Sequence, residues 1–374
     1  MKVLLTATVQ SHICQFHKPL VEVLHAHGCE VHVAARDNLA EKNGLKLDFV
    51  DKVFDVPFSR SPKSSDNLKA KKILEQIITE GGYDIIHCNT PMGGIVTRIA
   101  AKKARKNGTK VFYTAHGFHF YEGAPKKNWL IYYPIEKYFS RLTDKLITIN
   151  TEDYTLAKNK FHSKVFYIHG VGVNENRYAP ATAEEKSALR HELGFTQNQK
   201  IILCVGELLQ NKNQIMAVNA MPIILKQMPN AILLIAGNGA QQQALEQHIS
   251  ELGLSNQIKL LGYCTNLEKY QKAADLLVAC SRREGLGLNV IEAMLSENPV
   301  VATQNRGHKD LIDSGENGYL VDMDDFEAMA QKVLAIFKDE KLAQEIGKVA
   351  HQKALRYCYS AVEEELEIIY FGES

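Results

Sequence analysis

The feature that most constrains the fold is an alternation, present twice along the chain, of short apolar runs with longer amphipathic segments. Seven runs rich in β-branched residues lie in the first half, at 2–8, 30–35, 52–57, 84–89, 110–116, 145–150 and 164–169. Six more lie at 200–206, 231–237, 258–262, 275–281, 299–304 and 318–321. Runs that are apolar on both faces and alternate with helical segments predict parallel sheets covered by helices on both sides.

The alternation is interrupted at 170–199, where turn residues and a short helical pattern occur without a buried strand. We therefore predict an α/β protein with two facing Rossmann-like domains, 1–175 and 176–355. A helix at about 356–374 is expected to pack back on the first domain. Because ligands of such domains bind at the carboxyl ends of the strands, we expect the site in a cleft between the two sheets.

Length and cysteine usage exclude several classes of protein. The 374 residues suffice for two hydrophobic cores. Seven cysteines, an odd number without a CxxC pair, predict buried free thiols and not a disulfide framework or a zinc site. No run approaches 18 apolar residues, which excludes a membrane-spanning helix, and the first residues are typical of a strand and not of a signal peptide.

The net charge of +1 conceals an asymmetry. Residues 1–170 contain 25 Lys and Arg against 16 Asp and Glu, and the remainder contains 19 against 27. A basic half suits an anionic partner, such as phosphate groups or an acidic membrane face, although solvated helix faces remain the alternative. Neither zinc-finger spacing nor an aromatic ribonucleoprotein motif is present, so no nucleic acid is expected as a partner.

The sharpest local signal follows the run 275–281, where a loop with Gly285 and Gly287 leads into a helical pattern. Backbone N–H groups at a helix start are unpaired and suit a phosphate or a sugar hydroxyl. Two carboxylates, Glu284 and Glu292, flank this turn. Since the neighbours of Glu292 are apolar nearly all round the helix, a hydroxyl-binding role is favoured over a solvated surface position.

The stretch EGLGLNVIE (284–292) resembles the E-x7-E motif of retaining GT-B glycosyltransferases of family 4, and family-like features extend over essentially the whole chain. The resemblance implies that Glu284 binds donor-sugar hydroxyls and Glu292 the ribose hydroxyls of the nucleotide. The residues that it assigns to donor binding are Gly206, Glu207, Gly262, Tyr263, Arg283, Gly285, Leu286, Gly287, Leu288, Asn289 and Glu292.

The stretch 205–214 resembles the family's G-R-x4–5-K loop, in which an arginine and a lysine neutralise the diphosphate. Lys212 matches the lysine, whereas Glu207 stands where an arginine is usual, and Arg282 or Arg283 is the candidate replacement. A lysine there would stabilise the negative charge that develops on the leaving diphosphate. By the same resemblance His116, which ends a strand before Gly117, contacts the donor sugar, so the expected catalytic residues are His116, Glu284 and Lys212.

The first loop departs from the family's glycine pair and lies where acceptor contacts are usual. We expect acceptor contacts from His12 and His17, and from His119 in the loop after 110–116. The helical pattern at 127–141 interleaves lysines with aromatic residues. This pattern fits docking to lipid headgroups and equally fits packing against the first domain's own sheet.

The resemblance implies a retaining, metal-independent transferase that moves a hexose or N-acetylhexosamine from a nucleotide diphosphate sugar, with UDP expected. The acceptor would be a lipid-linked sugar or a glycan in exopolysaccharide or capsule assembly, and the enzyme would be cytoplasmic, at the inner face of the membrane. No cofactor or metal is expected, because Asp324 and Asp325 suggest a helix cap and not a metal site. The alternatives are a nucleotide-sugar epimerase of the same fold and a catalytically weak donor-binding subunit of an assembly complex.

Overall fold

The computed structural model describes residues 1–42 and 44–372. It separates into two compact units. Unit 1 contains Met1–Gly172 and the C-terminal helix Tyr359–Phe371, and unit 2 contains Val173–Cys358. The predicted boundaries, after 175 and after 355, fall a few residues from these positions.

Unit 1 is built on one seven-stranded sheet in which all neighbours pair in parallel. The strands are β1 (Lys2–Val9), β2 (Glu30–Arg36), β3 (Lys52–Asp55), β4 (Ile85–Asn89), β5 (Lys110–Ala115), β6 (Lys145–Thr148) and β7 (Lys164–Tyr167). Their order is β3-β2-β1-β4-β5-β6-β7. The central strands are buried along nearly their whole length, which explains why they appear in the sequence as continuous apolar runs.

Helices connect these strands. They are α1 (Gln10–Phe16), α2 (Lys18–Ala26), α3 (Asp66–Gly81), α4 (Pro91–Ala100), α5 (Lys102–Lys106), α6 (Lys126–Phe139) and α7 (Thr151–Lys160). The sequence predicts one helix over 14–27, but the chain breaks at His17, just before Pro19 in the first turn of α2. Proline lacks the N–H that a continuous helix needs and is tolerated in a first turn. Pro19 therefore explains why a new helix begins here and the first one does not continue.

The C-terminal helix belongs to unit 1 through specific polar contacts. The Tyr370 hydroxyl contacts Nδ1 of the buried His87. The backbone N–H of His169 donates to a carboxylate oxygen of Glu365 over 2.8 Å. Leu366 and Ile369 are buried beside them. The last helix therefore completes the core of the unit that contains the first residues of the chain.

Unit 2 repeats the design with a six-stranded parallel sheet in the order β10-β9-β8-β11-β12-β13. Its strands are β8 (Lys200–Val205), β9 (Ala231–Ala236), β10 (Ile258–Gly262), β11 (Leu276–Ala279), β12 (Val300–Thr303) and β13 (Tyr319–Val321). Its helices are α8 (Ala183–Glu192), α9 (Ile215–Leu225), α10 (Gln242–Glu251), α11 (Leu267–Ala273), α12 (Leu288–Leu295), α13 (Arg306–Leu311), α14 (Phe326–Lys338) and α15 (Glu340–Ala354).

Each sheet has one point where the strand order reverses. In unit 1 the chain adds β2 and β3 on one side of β1 and then returns to place β4 on its other side. In unit 2 it does the same around β8, with β11 on the far side. The loops that leave such neighbouring strands in opposite directions form a crevice at their carboxyl ends, which is where open α/β sheets bind ligands. The fold thus directs attention to the loops after β1 and β4 and after β8 and β11.

The cysteine prediction is confirmed, since all seven are free thiols and five of them are buried. Asp325 is the N-cap of α14 and accepts the N–H of Ala328, as predicted for this pair. Asp324 instead pairs with Arg282. Across residues 1–42 and 44–372, no helix is both long and apolar enough to cross a bilayer.

Candidate functional site

Glu284 and Lys212 meet at the reversal point of unit 2. Lys212 lies in the loop after β8 and Glu284 in the loop after β11, and Nζ and Oε1 are 2.5 Å apart. Both side chains are largely shielded, with 26% and 13% of their surfaces exposed. The sequence treats them as separate motifs 72 residues apart, and the fold brings them into one ion pair. A charged pair at this edge can exchange partners with an incoming diphosphate and sugar.

Glycines allow the chain to crowd around Glu284. A Cβ on Gly307, in α13, would lie 2.9 Å from Cβ of Glu284 and 3.1 Å from the backbone of Leu286. A Cβ on Gly287 would lie 3.1 Å from the ring of the buried His308. The loop before α12 therefore packs closely against α13, and this contact restricts the conformation of the loop backbone.

The start of α12 supplies the unpaired N–H groups expected there. Gly287 is the N-cap, and among the residues that the structure describes no side chain caps this end. The side-chain amide of Asn289 donates to the Val205 carbonyl over 3.0 Å, which fastens α12 to the end of β8. Asn289 is predicted as a donor-binding residue, and its side chain already has this structural task, so its backbone N–H is the group left for a ligand.

Glu292 occupies the second turn of α12 and is half-buried. The hydroxyl of Tyr178 donates to its carboxylate, and the Arg177 guanidinium lies close enough to attract it. Burial nevertheless dominates and raises the pKa of Glu292 to about 7. Arg177 is itself bound to Glu268 on α11, with a nitrogen–oxygen distance of 2.7 Å.

Tyr178 and Arg177 are functional candidates that the sequence reasoning missed. They lie in the irregular stretch 170–199, where no periodic pattern marks a side chain as buried or exposed. Tyr178 is buried, and both neighbouring carboxylates and the protein interior raise its pKa. The signal available from sequence is a Tyr next to an Arg near the start of the second domain.

Backbone hydrogen bonds join the ends of β8, β9 and β10 and the loops that follow them, beside Lys212. We call residues 206–208, 237–238 and 262 the ledge. The N–H of Leu208 donates to the Asn238 carbonyl over 2.8 Å, and the N–H of Gly237 donates to the Gly262 carbonyl over 2.7 Å. Gly237 has φ 143°, and a Cβ there would lie 2.1 Å from the Gly206 carbonyl oxygen. Two predicted donor residues, Gly206 and Gly262, thus belong to the ledge, and the sequence reasoning overlooked Gly237 between them.

Three further predicted donor residues, Glu207, Tyr263 and Arg283, keep part of their surface in solvent. Glu207 is exposed, and Tyr263 retains 49% of its surface in solvent. Arg282, one candidate replacement for the missing arginine, is bound by the Asp324 carboxylate at 2.6 Å, which leaves Arg283 as the better candidate. The Arg283 backbone carbonyl accepts the Asn211 side-chain amide over 3.0 Å, which ties the loop after β11 to the loop after β8.

Histidines converge at the reversal point of unit 1. His12 lies in α1 after β1, His17 separates α1 from α2, and His116 follows β5. Nε2 of His12 and Nε2 of His116 are 3.2 Å apart, and Nε2 of His116 is also 3.2 Å from Oδ1 of Asn89 at the end of β4. One nitrogen from each of the three imidazoles lies within 4.8 Å of the other two, so this set could hold a metal ion.

Burial controls the charge of these histidines. It lowers the pKa of His116 to about 4 and also lowers the pKa values of His12 and His17, to which repulsion by neighbouring cationic histidines contributes. All three rings are therefore neutral at pH 7. His119 lies elsewhere, in the loop before α6, with its ring centroid 4.8 Å from that of Tyr132.

The helix with interleaved lysines and aromatics, α6, divides its residues between two faces. Trp129 and Tyr133 pack on the core around Phe120. Leu130 and Ile131 point outward, with 77% and 52% of their surfaces exposed. The packing interpretation therefore holds for one side of α6, and the other side faces solvent.

Comparisons with known proteins agree with this picture. The family model for group 1 glycosyl transferases matches residues 185–353, and the glycosyl transferase 4-like model matches residues 2–150. The chain is 41% identical, over 99% of its length and 96% of the relative's, to "Putative glycosyltransferase EpsD" of Bacillus subtilis. It is 26% identical, over 81% of its length and 80% of the relative's, to the UDP-Gal:alpha-D-GlcNAc-diphosphoundecaprenol alpha-1,3-galactosyltransferase of Escherichia coli.

A solved structure shares the whole fold. The Anabaena protein Alr3699/HepE, crystallised in complex with UDP-glucose, superposes with a TM-score of 0.80 at 22% identity, and the match covers 99% of both chains.

Proposed function

Because the chain belongs to the family 4 glycosyltransferases of GT-B fold, we propose that it transfers a hexose or N-acetylhexosamine from a UDP-sugar to a lipid-linked acceptor. The observation that carries the proposal is the Lys212–Glu284 pair at the reversal point of unit 2. It supplies a cation for a diphosphate and a carboxylate for sugar hydroxyls within one contact. The UDP-galactose-dependent relative and the structural neighbour holding UDP-glucose support UDP as the nucleotide.

The roles of the residues follow from their chemistry. The N–H groups at the start of α12 and the Lys212 ammonium bind the diphosphate, since both carry positive charge toward it. Lys212 leaves Glu284 for the diphosphate, and Glu284 is then available to accept hydrogen bonds from the donor sugar. The Glu292 carboxylate accepts hydrogen bonds from the two ribose hydroxyls.

The transfer proceeds with retention of anomeric configuration. The acceptor oxygen forms a bond to the anomeric carbon on the face from which the diphosphate leaves, and the departing diphosphate oxygen takes the acceptor proton. Positioning and charge stabilisation by Lys212 account for the acceleration, without a covalent intermediate. The proposed reaction uses no cofactor and no divalent metal, with the Lys212 ammonium neutralising the leaving diphosphate.

Unit 1 serves the acceptor. His12, His17 and His119 are its proposed acceptor contacts, and neutral imidazoles can both donate to and accept from sugar hydroxyls. The exposed face of α6, defined by Leu130 and Ile131 beside Lys126 and Lys127, would dock on the anionic inner face of the membrane where a lipid-linked acceptor resides. The diphosphoundecaprenol-dependent relative supports a lipid-linked acceptor, and the proposal extends to exopolysaccharide or capsule assembly.

The test is product analysis with radiolabelled UDP-sugars, with and without a polyprenyl-diphosphate-linked sugar in detergent. Acceptor-dependent movement of label into the organic phase, lost in Glu284→Gln, supports the proposal. A changed sugar configuration without acceptor would identify an epimerase. Donor binding without any turnover on a panel of acceptors would identify a donor-binding subunit, for which Glu207 at the arginine position is the structural argument.

A further inference from the structure

The three-histidine cluster of His12, His17 and His116 has the geometry of a cation site. Two of its nitrogens, Nε2 of His12 and Nε2 of His116, are 3.2 Å apart. Two imidazole nitrogens bound to one tetrahedral Zn²⁺ at about 2.0–2.1 Å lie about 3.3 Å apart, so this pair already has the required spacing. One nitrogen of His17 lies within 4.8 Å of a nitrogen of each of the other two rings, and bringing such a pair to about 3.3 Å takes an approach of at most about 1.5 Å.

His17 gives an independent indication that a ligand belongs in the cluster. Its side chain is buried, with 4% exposed, and its Nε2 has no hydrogen-bond partner within residues 1–42 and 44–372. A buried polar nitrogen without a partner is unfavourable, because it has lost its hydrogen bonds to water without replacing them. A bound cation would remove this cost, because the lone pair of the nitrogen would then have a partner.

The elements that carry the three rings are fixed before any ligand arrives. His12 and His17 are separated by little more than one turn of α1, and His116 follows a central strand of the sheet. The ring centroids lie between 4.5 and 5.6 Å from one another. Phe16 packs its ring 4.9 Å from that of His12 and closes one side of the cluster.

We propose that His12, His17 and His116 form a binding site for a divalent transition-metal ion, with Zn²⁺ as the expected ligand. Imidazole nitrogens select zinc, copper or nickel over magnesium and calcium, which prefer oxygen. On binding, the metal takes the place between the two Nε2 atoms, and any proton on Nε2 of His116 moves to Nδ1 of the same ring. Three protein ligands leave a fourth position open to water or another small ligand.

Binding there inhibits the enzyme. This consequence rests on the proposed function, in which His12 and His17 contact the acceptor. A metal that occupies their nitrogens removes these contacts. The cluster is thus a site of zinc inhibition, separate from the metal-independent transfer reaction.

The binding test uses the full chain without a histidine tag, stripped with EDTA and desalted, and titrated with Co²⁺ while the visible ligand-field absorption is followed. Zn²⁺ is then added to displace the cobalt. His12→Gln and His17→Gln remove one ligand each, and thermal melts establish that they fold. His25→Gln is the matched control, since His25 lies on α2 and pairs with Asp51 outside the cluster.

We expect one equivalent of cobalt to bind, with affinity at least about tenfold lower in both cluster variants and unchanged in His25→Gln. Failure of the folded wild type to bind cobalt, or equal binding by the cluster variants, would overturn the site. A separate assay measures transfer with added Zn²⁺ and its recovery with EDTA. Metal binding without inhibition would refute the inhibitory role but not the metal site. Because the cobalt titration uses no sugar substrate, its result does not depend on the proposed transfer activity.

Discussion

Substitution of Glu292 distinguishes a ribose-binding role from a purely structural role more sharply than any other substitution proposed here. Its carboxylate is half-buried on α12 beside Tyr178, and burial raises its pKa to about 7 from the ordinary 4.5. Hydrogen bonds to a charged group contribute about 1.5–3 kcal/mol each, so losing one ribose contact should weaken donor binding about tenfold to a hundredfold. We expect this loss in Glu292→Gln and at least a tenfold loss in Glu292→Ala.

The raised pKa also predicts how donor affinity depends on pH. Only the ionised carboxylate accepts hydrogen bonds from both ribose hydroxyls. Donor affinity should therefore fall as Glu292 is protonated, about tenfold from pH 8 to pH 6. Arg177, Tyr178 and Glu268 are the other ionisable groups around it, and none replaces this acceptor. In Glu292→Gln the dependence should disappear, because the amide does not titrate.

The pH dependence of folding stability that Glu292 contributes has the opposite sign to that of donor affinity. A carboxyl group whose pKa is higher in the folded than in the unfolded state binds protons more tightly when folded. Stability is therefore greatest below about pH 4.5 as far as this group is concerned, and this contribution is lost as the pH rises through 7. Glu292→Gln should thus melt at a higher temperature than the wild type at pH 8 while binding the donor more weakly.

The assay is isothermal titration with UDP-glucose at pH 6, 7 and 8. UDP-glucose is preferred to UDP because the terminal phosphate of UDP itself titrates near pH 6, about as phosphate monoesters do. Equal affinities of wild type and Glu292→Gln, together with a wild-type affinity that does not change with pH, would refute the assignment.

Three further predictions concern packing and the membrane. Gly237→Ala places a methyl group 2.1 Å from a backbone carbonyl and should destabilise unit 2 by about 2 kcal/mol or more in urea unfolding, whereas Gly253→Ala, with nothing within 4 Å, tests positive φ alone. Arg98→Met leaves the buried Glu136, 3.1 Å from the guanidinium, without its cationic partner and should destabilise the fold by about 3–5 kcal/mol, part of which Glu136→Gln restores in the double variant. Leu130→Ser should reduce flotation with anionic vesicles without lowering the melting temperature, because 77% of Leu130 is exposed; unchanged flotation would contradict docking through α6.

The sheets could be predicted because their central strands are buried on both faces. A strand such as β9 is apolar at every position, and no surface position breaks the pattern. The break at His17 could be anticipated only in part, because Pro19 marks a boundary without showing how the two helices pack. Prediction therefore succeeded where one local pattern determines the element.

The sequence identifies candidate site residues one by one but does not show the contacts among them. Lys212 and Glu284 each follow a strand, yet only the order of strands in the sheet makes β8 and β11 neighbours. Tyr178 lies outside any periodic segment, so its approach to Glu292 depends on tertiary packing alone. The convergence of His12, His17 and His116 has the same cause, since it needs β1 and β5 to lie near each other in the sheet with only β4 between them.

The central claim is that this chain transfers a sugar from a UDP donor to an acceptor with retention, and the anomeric configuration of the product tests it most directly. The product made from an α-linked UDP-sugar and a lipid-linked acceptor is isolated and its anomeric coupling is read by proton NMR, with Lys212→Gln as the variant expected to lose turnover. The account predicts an α-linked product. A β-linked product, or nucleotide released only together with free sugar, would contradict it.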